Sequence, residues 1–344
     1  SYEARRFGIH SAMPMSRARR RCPDLVVVPP DHRRYREVSE EVFAVFHSFT
    51  PLVEGLSLDE AFLDVGGLRR HYPSPVVVAE HIRAALRRAL GLPASVGVAP
   101  SKFLAKLASE AAKPDGIRHV PVSAQLEFLH ALPVRALWGV GEATLAVLDG
   151  LGVETVGDIA TLGPSVLERR LGAAVGRHIF ELAQGRDDRA VEPDIDAKSL
   201  SVEQTYEVDL RGWTMVDSEL LAHADRLASR LRRAGLLART ISLKLRYSDF
   251  TTLTRSETSP AGTDITRELH HIGRRLAHRL DVDRPIRLLG LGATNLAPKL
   301  APRQLRVGDT GEWDRVADAV EAVRERFGQD SIEPAGLMNP IREK

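Results

Sequence analysis

The sequence predicts an α+β protein of several compact units, and three observations carry that reading. Its 344 residues exceed the roughly 250–300 at which a single hydrophobic core stops growing. Apolar residues recur at helical spacing in some stretches and alternate at strand spacing in others, so helices and strands interleave along the chain. From Ser199 to Pro298 the order is strand, helix, strand, strand, helix, strand, the pattern of an autonomous split βαβ domain.

In chain order, residues 1–31 are basic, with Arg17, Arg19, Arg20 and Arg21 together, and close at Pro29-Pro30. They read as a small helical unit. Val38, Val42, Phe43, Val45 and Phe46 set a helix over Arg36 to Phe49. Gly55 to Val65 is strand-like, Val76 to Leu90 a second helix, Ala94 to Val98 a strand, and a third helix opens at Ser101. Val122 to Gly185 is helical and contains Leu137-Trp-Gly-Val-Gly141 and Leu151-Gly-Val-Glu-Thr-Val-Gly157. The charged stretch Arg186 to Lys198, interrupted by Pro193, reads as a connection, with 191–198 the linker itself. In the next domain the helices run from Val216 to Ala234 and from Thr263 to Leu280. The tail, 301–344, carries a helix over Trp313 to Phe327 whose Val316, Ala319, Val320, Val323 and Phe327 share one face.

Composition excludes several classes. No apolar run approaches the roughly 18 residues that cross a bilayer, and Ser1 to Arg6 shows no signal pattern. Cys22 is the single cysteine, so an internal disulfide and a multi-thiolate metal site are both ruled out. A cytoplasmic chain free of membrane contact, with any metal on oxygen ligands, is expected. A net charge of +2 does not by itself announce nucleic-acid binding. Only seven of the 48 basic residues are Lys, and three of those fall within Lys102 to Lys113.

The sharpest local feature is Gly55-Leu-Ser-Leu-Asp-Glu-Ala-Phe-Leu-Asp-Val65, where Asp59 and Glu60 interrupt an apolar run. Buried unpaired they would be costly, so they call for a cation or a partner. On a flat strand they point to opposite faces, and joint metal binding then requires an edge, a bulge or a hairpin tip. Hard oxygen ligands suit Mg²⁺; two solvated acids at a strand end are the alternative. Gly139 and Gly141 precede a helix and would let backbone N–H groups approach a phosphate, or they form a tight turn. Along Thr240 to Ser248, Ile241, Leu243, Leu245 and Tyr247 line one face and Thr240, Ser242, Lys244 and Arg246 the other, a solvated face or one lying along phosphates. His270-His271 has no partners at ligand spacing and reads as ordinary helix residues.

Ser57-Leu-Asp-Glu-Ala-Phe-Leu-Asp64 resembles the motif that holds the second and third catalytic carboxylates of the lesion-tolerant Y family of DNA polymerases. Ser1-Tyr-Glu-Ala-Arg-Arg-Phe-Gly8 with Ser11-Ala-Met-Pro14 is similar to the family's fingers segment, and Tyr2 and Arg5 match the positions that grip the incoming triphosphate. Ser95-Val-Gly-Val-Ala-Pro-Ser-Lys-Phe-Leu-Ala-Lys106 with Ala112-Lys-Pro-Asp-Gly116 resembles the segment whose Lys, taken as Lys102, reaches the same triphosphate. Lys198-Ser-Leu-Ser-Val-Glu203 falls where the last domain of that family begins, and the bacterial DinB-type branch is the nearest in pattern.

The resemblance implies a right-hand polymerase: partial fingers over 1–31, palm over 32–112, a thumb with a helix-hairpin-helix over 113–190, and a little finger over 199–300. It implies translesion synthesis by two-metal nucleotidyl transfer with two Mg²⁺ ions on Asp59 and Glu60. Tyr2, Arg5 and Lys102 would hold the deoxynucleoside triphosphate, and Gly139, Gly141, Lys244 and Arg246 the primer-template DNA, the protein acting as a monomer. Gln304-Leu-Arg-Val307 faintly resembles a sliding-clamp-binding peptide. The first carboxylate and the sugar-gate residue of the family have no match; Asp24 and Asp31 sit beside prolines and suit no central strand. The chain, opening on Ser1, is therefore expected to continue upstream, and as it stands to bind DNA but extend primers poorly. A non-catalytic polymerase-like scaffold and a nucleotidyl cyclase are the competing readings. The metal-type acids weigh against the first, and the helix-hairpin-helix with its separate C-terminal domain against the second.

Overall fold

Short strands and longer helices make up the first of two units into which the chain divides, 1–195 and 196–344. The structure, a computed structural model, describes residues 1–193, 197–299 and 312–338. Two small helices, α1 (Tyr2–Arg5) and α2 (Met15–Arg21), precede α3 (His32–His47). Asp31 caps α3, its carboxylate accepting the Arg34 N–H at 3.0 Å. Helix α4 (Pro75–Leu90) has the Ser74 cap, Pro75 in its first turn and left-handed Gly91 as its stop. It buries Val78, Ile82 and Leu86 against Phe46 and Phe49 at the end of α3.

The single strand expected over Gly55 to Val65 is instead a hairpin. Strands β1 (Val53–Gly55) and β2 (Ala61–Leu63) pair antiparallel, Val53 opposite Leu63, and residues 56–60 form the loop. The loop is closed by the Leu56 N–H donating to the Glu60 carbonyl at 2.8 Å. Leu56 and Leu58 give the loop a strand-like sequence, but Leu58 is exposed. Turning here keeps Asp59 and Glu60 in water, where continuing the strand would have buried one of them.

Next, β3 (Val96–Val98) and β4 (Ile117–His119) pair in parallel, with α5 (Lys102–Ala111) as their crossover. A Cβ at Gly97 would stand 1.9 Å from the Ala105 carbonyl oxygen and 2.5 Å from the Ser109 nitrogen, so only glycine lets α5 lie this close to β3. The Ser101 hydroxyl caps α5. Its apolar face, Phe103, Leu104 and Leu107, joins the core of a helical half built from α6 (Gln125–His130), α7 (Glu142–Asp149), α8 (Val156–Leu162), α9 (Pro164–Leu171) and α10 (Ala173–Ala183). Thr155 and Asp158 form a capping box at α8.

The second unit has the expected βαββαβ order: β5 (Ser199–Leu210), α11 (Trp213–Arg233), β6 (Leu236–Tyr247), β7 (Thr252–Thr263), α12 (Thr266–Ala277) and β8 (Ile286–Pro298). The sheet order is β5-β8-β6-β7 with every neighbouring pair antiparallel. Each crossover, through α11 or α12, therefore joins two parallel strands with a third between them, which is the split βαβ arrangement. Leu243, Leu245, Leu289 and Leu291 are buried against Leu220, Leu227 and Leu276 of the two helices, leaving the opposite sheet face open.

Helix α13 (Glu312–Phe327) docks on α11 by its charged side. Arg324 meets Asp225 at 2.6 Å and Glu321 meets Arg232 at 3.1 Å, all with buried side chains. The apolar stripe read from the sequence lies to one side, with Val316 and Phe327 exposed. No described helix is long and apolar enough to cross a membrane.

Candidate active site

The hairpin loop brings Asp59 and Glu60 together with α5, whose cations follow one stripe. Lys102 and Lys106 stand at i and i+4, a spacing that aligns side chains along a helix face, and Lys113 follows in the turn after the helix. Lys106 donates to Glu60 Oε2 at 2.9 Å, both side chains remaining partly exposed. Asp59 is exposed, and its Oδ1 accepts the Ser57 hydroxyl at 2.6 Å. Two carboxylates with accessible oxygens on one tight loop suit a hard divalent cation. Among the described residues no three His, Cys, Asp or Glu side chains come together in a metal-binding group, so this pair supplies two donors and no more.

Lys102 stands apart from the loop acids, in an ion pair of its own. Its ammonium donates to Glu54 Oε2 at 2.7 Å, and both side chains are only 9% exposed, so a ligand would reach it only by displacing Glu54. Burial pushes the Glu54 carboxyl up, but Lys102, the Glu192 N–H and Arg189 outweigh burial and hold it below the usual carboxylate range. Lys113 lies in the turn just past the end of α5. Its side chain is 41% exposed and pairs with Glu110. No sequence pattern marks the Glu54–Lys102 pair, because its members are 48 residues apart; the exposure of Lys113 could have been suspected from its place at the helix end.

The same buried pair leads into the helical half. Arg189 bridges to Asp187 at 2.6 Å and lies over the Trp138 ring at 5.0 Å. Asp187 Oδ2 also accepts the Phe103 N–H, at 3.2 Å, in the first turn of α5. Burial raises the Asp187 carboxyl, and Arg189 with the backbone donors overcomes that and lowers it. Trp138 belongs to the glycine loop before α7. There Gly139 has φ +91° and Gly141 is the residue before the first turn, with open space around both Cα atoms. No side chain caps α7, so its first N–H groups are available to an anion, with Glu142 beside them as an opposing charge.

Tyr2 and Arg5 lie on α1, both exposed, the guanidinium 5.7 Å from the ring centroid. Among the described residues neither one hydrogen-bonds to the acid hairpin.

In the second unit, Thr240, Ser242, Lys244 and Arg246 stand on the open sheet face. They face Thr258, Ser256, Thr254 and Thr252 of β7 on one side and Thr294, Gly292, Gly290 and Leu288 of β8 on the other. Beyond β8 stand Ser199, Ser201, Glu203 and Thr205 of β5. The face is thus rich in hydroxyls. Lys244 is not a free cation: Glu203 meets it at 2.8 Å. Arg246 donates to the Thr252 hydroxyl at 2.9 Å. His270, on α12, pairs with Asp217 at 2.9 Å, the part of an ordinary helix residue. Gln304 to Val307 lie outside the described residues.

Residues 1–110 match the impB/mucB/samB family and residues 197–307 match that family's C-terminal domain. The chain belongs to the impB/mucB/samB family, the Y-family polymerases. A DNA polymerase IV of Streptomyces coelicolor is 46% identical over 299 residues, covering 86% of this chain and 62% of the relative. This chain therefore spans somewhat less than two thirds of that protein's length. A DNA polymerase IV of Desulfatibacillum aliphaticivorans is 38% identical across 99% of the chain and 87% of its own length. Among solved structures, a Y-family DNA polymerase chimera built on Dbh superposes with a TM-score of 0.77 at 24% identity, over 87% of this chain and 86% of that one. The fold is that of the Y family, α+β with fingers, palm, thumb and little finger, and divalent-metal use goes with the family.

Proposed function

We propose that this protein is a DNA-directed DNA polymerase that copies damaged templates, with Asp59 and Glu60 as metal-holding catalytic acids. The observation that carries the reading is the exposed Asp59-Glu60 loop held against Lys106 in a member of this family. Residues 1–31 serve as fingers, 32–112 as palm, 113–190 as thumb, 191–198 as linker, 199–300 as little finger and 301–344 as tail.

Two Mg²⁺ ions, when bound, would lower the barrier to attack by the primer 3′-hydroxyl and stabilise the departing pyrophosphate. Glu60 and Asp59 hold the charge that receives them, and Lys106 keeps the Glu60 carboxylate pointed along the loop. Arg5 and Lys113, exposed cations of two of the matched segments, would take triphosphate oxygens with Tyr2 as a hydroxyl donor, and Lys102 would join them by leaving Glu54. Gly139, Gly141 and the open N-terminus of α7 take a backbone phosphate, as do Arg246 and Lys244 on the sheet. These contacts carry no sequence information, which suits an enzyme that must accept any template. The protein works as a monomer on primer-template DNA, and the tail from Gln304 to Val307 is the candidate clamp contact.

The test is primer extension by the complete protein with Mg²⁺ and all four deoxynucleoside triphosphates, on an undamaged template and on one carrying an abasic site. Extension on both supports the reading; DNA binding without incorporation on either template establishes the scaffold instead. A second measurement addresses the sheet. Arg246→Ala should weaken duplex binding equally across sequences and flatten the slope of log affinity against log salt by about 1 unit. An unchanged slope means that this face does not lie on DNA.

A further inference from the structure

We propose that Glu203 is a built-in competitor for Lys244, holding the position at which a DNA phosphate would meet that lysine and so limiting how tightly the open sheet face grips a duplex. This rests on the reading that the face lies along DNA.

Glu203 on β5 and Lys244 on β6 are not neighbours in the sheet. Strand β8 runs between them, and Gly290 is the register partner of both. Two strand spacings, roughly 9.5 Å, separate their backbones, so the side chains meet only by reaching over the central strand. Gly290 leaves that lane open. A Cβ there would stand 2.5 Å from Glu203 Cγ and 3.1 Å from the Val202 carbonyl oxygen, so any other residue would displace the glutamate.

The pair is 35% and 36% exposed, with 2.8 Å between Nζ and Oε2. Exposed pairs of this kind add little to stability, and the strands beneath are already fixed by fully buried Leu243 and Leu291. The fold does not need the carboxylate. On a surface meant for a polyanion a carboxylate repels the ligand and occupies the Lys244 cation, while Arg246, two residues on, donates to a neutral hydroxyl and has no carboxylate partner among the described residues. A phosphate arriving at Lys244 must displace Glu203 and then lie beside it. The consequence is a face that holds DNA with Arg246 fully and with Lys244 conditionally, which shortens residence on the template.

The experiment measures binding of the complete protein to a fluorescent primer-template duplex between 50 and 200 mM KCl, roughly spanning physiological ionic strength. Glu203→Gln, which keeps the shape and removes the charge, should bind about threefold tighter, and its log–log salt slope should steepen by up to about 1 unit. Lys244→Ala, which leaves Glu203 facing the backbone alone, should weaken binding more than Arg246→Ala. If Lys244→Ala weakens binding but Glu203→Gln leaves it unchanged or weaker, Glu203 merely positions the lysine and the proposal is wrong, while the sheet still lies on DNA. If Lys244→Ala and Arg246→Ala both leave binding unchanged, the reading of the face fails and takes the proposal with it.

Discussion

Asp59→Ala and Glu60→Ala, each made in the complete protein, should reduce nucleotide incorporation by about 10³-fold while leaving affinity for primer-template DNA within about twofold. The loss corresponds to about 4 kcal/mol of transition-state stabilisation, the scale seen when one preorganised electrostatic element is removed from a reacting centre. Binding survives because neither acid faces a group that DNA needs. Asp59 is held by Ser57 of its own loop and Glu60 by Lys106, and deleting a negative charge beside a polyanion does not weaken it. Glu60→Ala additionally frees Lys106, so its DNA affinity should equal or slightly exceed that of Asp59→Ala. Gel-based extension at saturating Mg²⁺, paired with anisotropy on the same duplex, separates the two effects. Near-normal extension by either variant would remove the hairpin from the catalytic site.

What the sequence showed of this fold depended on whether the governing contact was local. The βαββαβ part of the second unit was legible, because alternation over 12-residue strands such as Leu236–Tyr247 has no helical counterpart and glycines such as Gly212 and Gly235 punctuate it. The acid hairpin was half legible. Two adjacent carboxylates demanded a turn or an edge, yet Leu56 and Leu58 made the same stretch read as one continuous strand, and only the pairing of Val53 with Leu63 decides between them. The partners of the cations were not legible at all. Glu54 finds Lys102 across 48 residues and Glu203 finds Lys244 across 41, and no periodicity encodes either meeting. For that reason the burial of Lys102 against Glu54 had no sign in the sequence. The docking of α13 failed to show for a related reason: its buried face is ionic, so an apolar stripe pointed to the wrong side.

The burial of Lys102 sets the second large effect. Lys102→Met should destabilise the first unit by about 3 kcal/mol at pH 7, because removing one partner of a buried pair leaves an uncompensated charge. Glu54→Leu added to Lys102→Met should recover most of that loss, since matched apolar replacement of a buried pair is close to neutral. The pH dependence distinguishes this from a packing defect. In the unaltered protein Glu54 and Asp187 are both held below their ordinary values. Their stabilisation is therefore present above the unfolded carboxylate range, near pH 4, and is lost as pH falls through the lower folded values. In Lys102→Met the ammonium that outweighed burial at Glu54 is gone and its carboxyl rises from its lowered value, so acid removes less stability from the variant than from the unaltered protein and the deficit should shrink between pH 7 and pH 4. Hydrogen exchange over β1, β2 and α5 localises the measurement to the first unit. A deficit of the same size at both pH values would mean that Lys102 acts through its methylenes packed near Phe62, 5.7 Å from ammonium to ring centroid, and not through its charge.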